Sequence, residues 1–130
     1  MSIDFSNIKL EAIDLNINSS PDIFINHTVI TFSRRILEDL NYPQNVQYCV
    51  DPSQNIFAIR VCKSNEQRAT SFSKSKGEQT KSFNTNNKAL RKTLTSFISK
   101  YNEEMKYKIT GELDSENRVM YFDMKGAEVF

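Results

Sequence analysis

The chain contains few of the residues from which catalytic and metal sites are usually built. Its 130 residues include one histidine, two cysteines, three glycines and no tryptophan. A metal site needs three or four ligands, which one histidine and two separated cysteines do not supply. The glycines, Gly77, Gly111 and Gly126, lie too far apart for a phosphate-binding loop. We therefore expect no metal and no cofactor.

Recognised catalytic patterns are also missing. A nucleophile–histidine–acid arrangement would have to use His27, and no such motif flanks it. Pairs of carboxylates occur at residues 38–39, 103–104 and 112–114, where a solvated helix end or a turn would place them. We predict that the protein is not an enzyme and assign no catalytic residue.

Long hydrophobic runs are absent too. No stretch approaches the ~20 apolar residues of a membrane-spanning helix, and the first residues do not resemble a secretion signal. We expect a cytoplasmic protein without a membrane partner, forming a single domain over residues 1–130 that buries roughly two-thirds of its unfolded surface. In a reducing compartment Cys49 and Cys62 are expected to be buried thiols rather than a disulfide.

The first forty residues predict extended structure followed by a short helix. Residues 8–17 and 23–32 are rich in β-branched and aromatic side chains, and a turn signal at 18–22 separates them; two strands or a strand and an arm fit this pattern. Ser33 is a good N-cap, and Pro43 predicts that the helix ends just before it.

Residues 46–62 predict a β-hairpin around the turn at 51–55. One register places six apolar residues on one face by pairing Val50 with Phe57, Tyr48 with Ile59 and Val46 with Val61. The same register places Cys49 opposite Ala58 and Cys62 opposite Asn45, about 13 Å apart along the ladder. A disulfide between the two cysteines is therefore excluded.

The middle of the chain is polar. Residues 64–84 predict a mobile connection or a loose hairpin that pairs residues 69–73 with 80–84. A second helix follows, with Thr85 or Asn86 as its cap. Its apolar stripe has helical spacing and consists of Leu90, Leu94, Phe97, Ile98 and Tyr101.

A final hairpin is predicted over residues 105–113 and 118–124. Pairing Leu113 with Arg118 would place Ile109 opposite Phe122 and Lys108 opposite Asp123. The predicted fold class is α+β, with antiparallel hairpins and two helices. Its order of strand, helix and hairpin occurs twice, in half-repeats 23–63 and 80–125 joined by a polar connection over 64–79, through an old duplication or a common arrangement.

The stretch from His27 to Tyr42, followed by residues 46–51 and 56–61, resembles the AbrB/MraZ swapped-hairpin domains. In that family a strand leads into a short helix and then a hairpin with an acidic turn. The resemblance implies DNA binding by pseudo-symmetric assemblies, with Arg34 and Arg35 as the matching basic pair. The family usually has glycine before the first strand and proline at the helix entrance, where this chain has Asn26-His27 and Phe32-Ser33. Residues 30–33 with 41–46 are also similar to small proteins of phages and mobile elements.

Positive charge is concentrated in one part of the chain. Residues 67–102 hold eight bases and one acid, whereas the net charge of the whole chain is +1. Basic side chains attract phosphate and aromatic rings stack on bases, so this region is a candidate nucleic-acid or anion site. The candidate residues are Arg34, Arg35, Lys74, Lys76, Lys81, Lys88, Arg91 and Lys92 for phosphate, and Phe72 and Phe83 for stacking. The alternative is an ordinary charged surface with both phenylalanines in the core, and with Arg34 and Arg35 paired to Glu38 and Asp39.

Two functions are compatible with these observations. The first is a non-enzymatic nucleic-acid-binding, AbrB-like regulatory protein. The second is an interaction or inhibitor protein of a phage or mobile element, which binds a host protein or sequesters a small anionic ligand, and whose exposed strand edges favour a homo-oligomer.

Overall fold

The protein has an α+β fold. The computed structural model describes residues 3–12, 20–79 and 81–130. Within these residues the strands are β1 Asp22–Ile25, β2 Ile30–Phe32, β3 Asn45–Asp51, β4 Ile56–Val61, β5 Thr70–Ser71, β6 Phe83–Thr85, β7 Tyr107–Asp114, β8 Val119–Asp123 and β9 Glu128–Val129. The helices are α1 Arg34–Asp39 and α2 Lys88–Ser96, with 3-10 turns at Phe5–Asn7 and Met124–Gly126. The predicted class is confirmed.

The strands form one curled antiparallel sheet in the order β5-β3-β4-β8-β7-β1-β2-β6, and β9 pairs with β7 beyond the end of β8. The sheet contributes to one core cluster, whose largest fully buried side chains include Phe32, Phe57 and Phe122. The segment of residues 8–17, for which the sequence predicts a strand or an arm, forms no strand in its described part, residues 8–12, which leaves the arm there. Its remainder, and residues 18 and 19 of the predicted turn, lie outside the described residues.

The first hairpin has the predicted register. Val46 pairs with Val61, Tyr48 with Ile59 and Val50 with Phe57. Cys49 pairs with Ala58, both cysteines are free and partly exposed rather than buried, and the backbone N–H of Cys62 donates to the carbonyl of Asn45. Val50 departs from the prediction, because 46% of it is exposed although it faces the core side of the ladder.

The predicted register of the second hairpin is wrong by two residues. Leu113 pairs with Met120 rather than Arg118, and Gly111 rather than Ile109 lies opposite Phe122. Arg118 has a left-handed backbone (φ 54°) and belongs to the turn. The shift places the Phe122 ring over a residue that has no Cβ, and the observed register fits this large side chain into the core.

The polar stretch 64–84 is not a hairpin. β5 pairs with β3, and β6 pairs with β2 instead. Phe72 and Ser73 are buried, and their backbone N–H groups donate to the carbonyls of Gln44 and Pro43. The predicted mobile connection is therefore anchored to the start of the first hairpin at residues 70–73, and Thr80 lies outside the described residues.

Both helices form in the predicted parts of the chain, but α2 ends at Ser96, so Phe97, Ile98 and Tyr101 of its predicted apolar stripe lie beyond the helix. The caps also differ from expectation. Ser33 is the N-cap of α1 by position, yet its hydroxyl accepts from the Asp22 N–H and donates to the Ser20 carbonyl instead of capping the helix. Asn87, not Thr85 or Asn86, caps α2 by accepting from the N–H of Leu90 at 2.9 Å.

The strand-helix-hairpin order occurs twice, and the two copies pair symmetrically. Ile56 and Val119 are the first residues after the two hairpin turns, and each pairs with the fifth residue of the other's strand. The β2–β6 ladder is likewise centred on its middle residues, Thr31 and Asn84. This pairing brings α1 and α2 to opposite ends of the β2–β6 ladder. A duplication stays a prediction.

Candidate functional site

The eight candidate cations fall into three groups on the surface. Lys88, Arg91 and Lys92 lie on one face of α2, because positions i, i+3 and i+4 of a helix are neighbours. Lys74 and Lys81 line a second concavity, with Lys76 exposed in the turn between them. The third group, Arg34 and Arg35, begins α1.

The α2 group lines a concave site that we call the basic pocket. Its volume is about 250 Å³. The residues that line it are His27, Lys88, Arg91, Lys92, Thr95, Tyr101 and Glu103. Three cationic side chains therefore share one small pocket with one carboxylate and the only histidine of the chain.

A hydrogen-bonded turn brings His27 to this pocket. The side-chain oxygen of Asn26 accepts from the backbone N–H groups of Thr28 and Val29, at 2.9 and 2.7 Å, and this closes the turn between β1 and β2. The Nη1 group of Arg91 donates to the Asn26 carbonyl. The same turn therefore presents His27 and holds the guanidinium group of α2.

The positive charge of the basic pocket is not neutralised by pairing. Arg35 and Asp39 form an ion pair at 2.8 Å, whereas no carboxylate in the described part of the chain pairs with Lys88, Arg91 or Lys92. Nη2 of Arg91 is buried and has no hydrogen-bond partner there. A buried donor without a partner is costly, so part of the hydrogen-bonding capacity of the Arg91 guanidinium group is unmet in this arrangement.

The second concavity contains the predicted stacking residues. Phe72 is only 6% exposed, and its ring packs against Phe32 at 5.5 Å and Phe83 at 4.9 Å between centroids. Phe72 also lines the concavity, but its burial in the core leaves little of its ring accessible to a base, as the alternative of a core residue predicts. Its stacking role stays a prediction. Phe83 is half-buried and lines the concavity beside Lys74 and Lys81.

The cations of α1 behave differently from each other. Arg35 forms the predicted i,i+4 ion pair with Asp39. Arg34 is exposed, and the predicted pair with Glu38 is not formed within the described structure. Since Phe32 pairs with Phe83, the ladder brings the start of α1 to the same end as Lys81, opposite the basic pocket.

Sequence reasoning missed four members of the basic pocket. Thr95 lies four residues after Arg91, about one turn of helix, and this spacing could have identified it as a member of the same face. Tyr101 and Glu103 lie in the segment that follows α2 along the chain. His27 is distant in sequence, and the pairing of β2 with β6 brings its turn to α2.

Other kinds of site find no support in the described residues. No group of three histidine, cysteine or acidic side chains is placed to hold a metal ion there. Neither helix of the described segments has the length and apolarity needed to cross a membrane.

Comparison with known proteins adds no further identification. No protein-family model, curated protein or solved structure matches this chain. The fold and the pocket define an α+β protein with a basic concavity beside its second helix. The resemblance to AbrB/MraZ domains stays a prediction.

Proposed function

We propose that the protein is a non-enzymatic nucleic-acid-binding protein that holds backbone phosphates in the basic pocket. The observation that carries this proposal is the convergence of Lys88, Arg91 and Lys92 on one concavity, where none of the described carboxylates pairs with them. Unpaired cations release counterions from nucleic acid when they contact phosphate, and this release drives sequence-independent binding.

A second contact region supports a polymer as the ligand. Lys74, Lys81 and Arg34 lie toward the other end of the three-residue β2–β6 ladder. Such a ladder is roughly 10 Å long at the usual rise per residue. Adjacent phosphates of one strand are closer together than this, so a chain of a few nucleotides would reach both regions.

The test is a titration of fluorescently labelled DNA at several salt concentrations. We expect the wild-type protein to bind with Kd below ~100 μM at low salt, with affinity falling steeply as salt rises. The double variant Lys88→Ala/Lys92→Ala should bind about tenfold more weakly, and the magnitude of its salt slope should fall by about 2 because two phosphate contacts are lost. Both lysines are exposed, so the fold should be unaffected.

The matched control is Lys63→Ala/Lys106→Ala. These lysines are also exposed and lie outside both basic regions. The control removes the same charge and should leave affinity close to wild type. Equal losses in the two double variants would indicate a response to net charge alone, and the absence of wild-type binding at low salt would refute the proposal.

The alternative function, an interaction or inhibitor protein of a phage or mobile element, is favoured by a different observation. The segment of residues 3–12 exposes large apolar side chains: Phe5 is 81% exposed and Leu10 is 92% exposed. Exposed apolar groups in one segment are typical of a surface that is covered by another protein or a second copy of the chain.

Mass measurement by light scattering tests this alternative. If the segment joins copies of the chain, the particle mass should be an integral multiple, two or more, of the 15.1 kDa mass of one chain. Phe5→Ser/Leu10→Ser should then return it to the monomer value, whereas Lys63→Ser/Lys106→Ser should not. A wild-type monomer would leave a different protein as the partner, to be sought by crosslinking at position 5.

Inorganic phosphate that binds as tightly as DNA would instead indicate sequestration of a small anion.

A further inference from the structure

A third concave site, distinct from the concavity lined by Lys74 and Lys81, lies on the opposite side of the α2 N-terminus from the basic pocket. We call it the apolar cleft; its volume is about 300 Å³. The residues that line it include Val50, Phe57 and Leu90, which are apolar, and the aromatic Tyr48. No part of the nucleic-acid proposal above uses this cleft.

Val50 is exposed on the core-facing side of the β3–β4 ladder because the cleft opens there. Val50 points to the same side of the ladder as its partner Phe57, which is completely buried. Val50 nevertheless keeps 46% of its surface accessible. An apolar side chain on the core face of a sheet is stabilised when a second apolar surface covers it, and here the cleft provides the space.

Polar groups line the same cleft. Asn87 uses its side-chain oxygen to cap α2, which leaves its amide N–H groups free to donate. Thr70 contributes a hydroxyl, and so does Tyr48, whose pKa is raised by burial. An apolar slot with a few hydrogen-bonding groups suits a planar heteroaromatic ring better than an aliphatic chain.

The two sites lie on opposite faces of the first turns of α2. Lys88, Arg91 and Lys92 face the basic pocket, whereas Leu90 and Thr93 face the apolar cleft. A helix with its side chains is about 10 Å across. A strand of two or more nucleotides passing over the start of α2 could place a phosphate on one side and a base on the other.

We propose that the apolar cleft binds a base of a single-stranded nucleic acid whose phosphates contact the basic pocket. This inference rests on the proposed function and narrows it to single strands. A base can enter a cleft only after leaving its stack, which single strands allow at little cost and duplexes resist. Base contacts should therefore favour a single strand over the matching duplex by about tenfold.

The test uses two tryptophan substitutions on α2 in a chain that has no tryptophan. Ala89→Trp fills the cleft from its exposed rim and leaves the basic pocket intact. Ser96→Trp is the matched control, because Ser96 is exposed on the same helix and lines neither site. Affinities of wild type and both variants are measured for a labelled oligonucleotide of about 12 nucleotides, as a single strand and as a duplex.

We expect wild type and Ser96→Trp to bind the single strand about tenfold tighter than the duplex, and Ala89→Trp to lose this preference with duplex affinity unchanged. The urea midpoint of Ala89→Trp verifies that it folds, and Ala89→Phe replaces it if it does not. Equal wild-type affinity for the two DNA forms, or an unchanged preference in Ala89→Trp, overturns the proposal.

A probe without phosphate separates failure of the cleft from failure of the proposed function. Adenosine should shift the methyl NMR signals of Val50 and Leu90 but not those of Ile23, which is buried elsewhere in the core. If the Val50 and Leu90 signals do not shift, binding of a base in the apolar cleft is refuted, even if the protein binds DNA. Shifts in a protein that binds no DNA refute the proposed function and support recognition of the ring.

Discussion

The ring of Phe122 lies against the backbone of Gly111, its partner across the β7–β8 ladder. A Cβ added at Gly111 would be 2.6 Å from Cε1 and 2.9 Å from Cζ of this ring. Phe122 is completely buried, so it has no free space into which it can move. Gly111 is required here by the close approach of a neighbour, not by its backbone angles, since no glycine of the described residues has a positive φ.

Gly111→Ala should therefore lower the free energy of unfolding by about 1–3 kcal/mol, which is typical of overpacking in a core. Urea denaturation measures the change. Gly126→Ala is the control, because a Cβ there has no neighbour within 4 Å, and it should change stability by less than about 0.5 kcal/mol. A tolerated Gly111→Ala would show that the β7–β8 register is not held by this contact.

At the scale of elements, the two long hairpins are closed by the same turn chemistry. The carboxylate of Asp51 accepts from the hydroxyl and the N–H of Ser53, at 2.7 and 3.1 Å. The carboxylate of Asp114 accepts from the side-chain amide of Asn117 at 2.8 Å. Hydrogen bonds from Ser53 and Asn117 to the charged forms lower the pKa of Asp51 and Asp114 below their ordinary value of 3.8.

These pKa shifts predict how stability depends on pH. A carboxyl whose pKa is lowered by folding stabilises the protein above its unfolded pKa, and this contribution is lost as pH falls through the folded pKa. The urea concentration at the unfolding midpoint should therefore decrease as the pH is lowered from about 5 to about 2. This decrease should be smaller in the double variant Asp51→Asn/Asp114→Asn. Glu116→Gln should retain it, since that turn carboxylate accepts no side-chain hydrogen bond within the described structure. Equal pH dependence in all three proteins would contradict the assignment.

At the scale of the whole molecule, symmetric pairing of the half-repeats produces two regions of unequal charge. The ladders between β4 and β8 and between β2 and β6 treat the two halves alike. The helices do not, because α1 pairs Arg35 with Asp39 and α2 keeps three cations without paired carboxylates in the described structure. Under the proposed function, Lys88→Ala/Lys92→Ala on α2 should weaken DNA binding in a titration more than Arg34→Ala/Arg35→Ala on α1 does, and equal losses would contradict this asymmetry.

Several features of this fold follow from the sequence because they depend on neighbours along the chain. Alternating side chains and a polar turn predict the register of the first hairpin and exclude a bridge between its cysteines. Helical spacing predicts α2 and places its cations on one face. The sequence alone is therefore sufficient to predict that three cations share this face of α2.

Other features were decided only by the tertiary structure. The register of the second hairpin depends on fitting Phe122 over Gly111, and the turn residues alone predict a different pairing. The β1–β2 turn reaches α2 only because β2 pairs with β6, so His27 joins the basic pocket without any local signal. Phe72 is buried for the same reason, as the sheet brings distant segments around it. Periodicity determines which face of an element is apolar, whereas long-range packing determines which elements meet there.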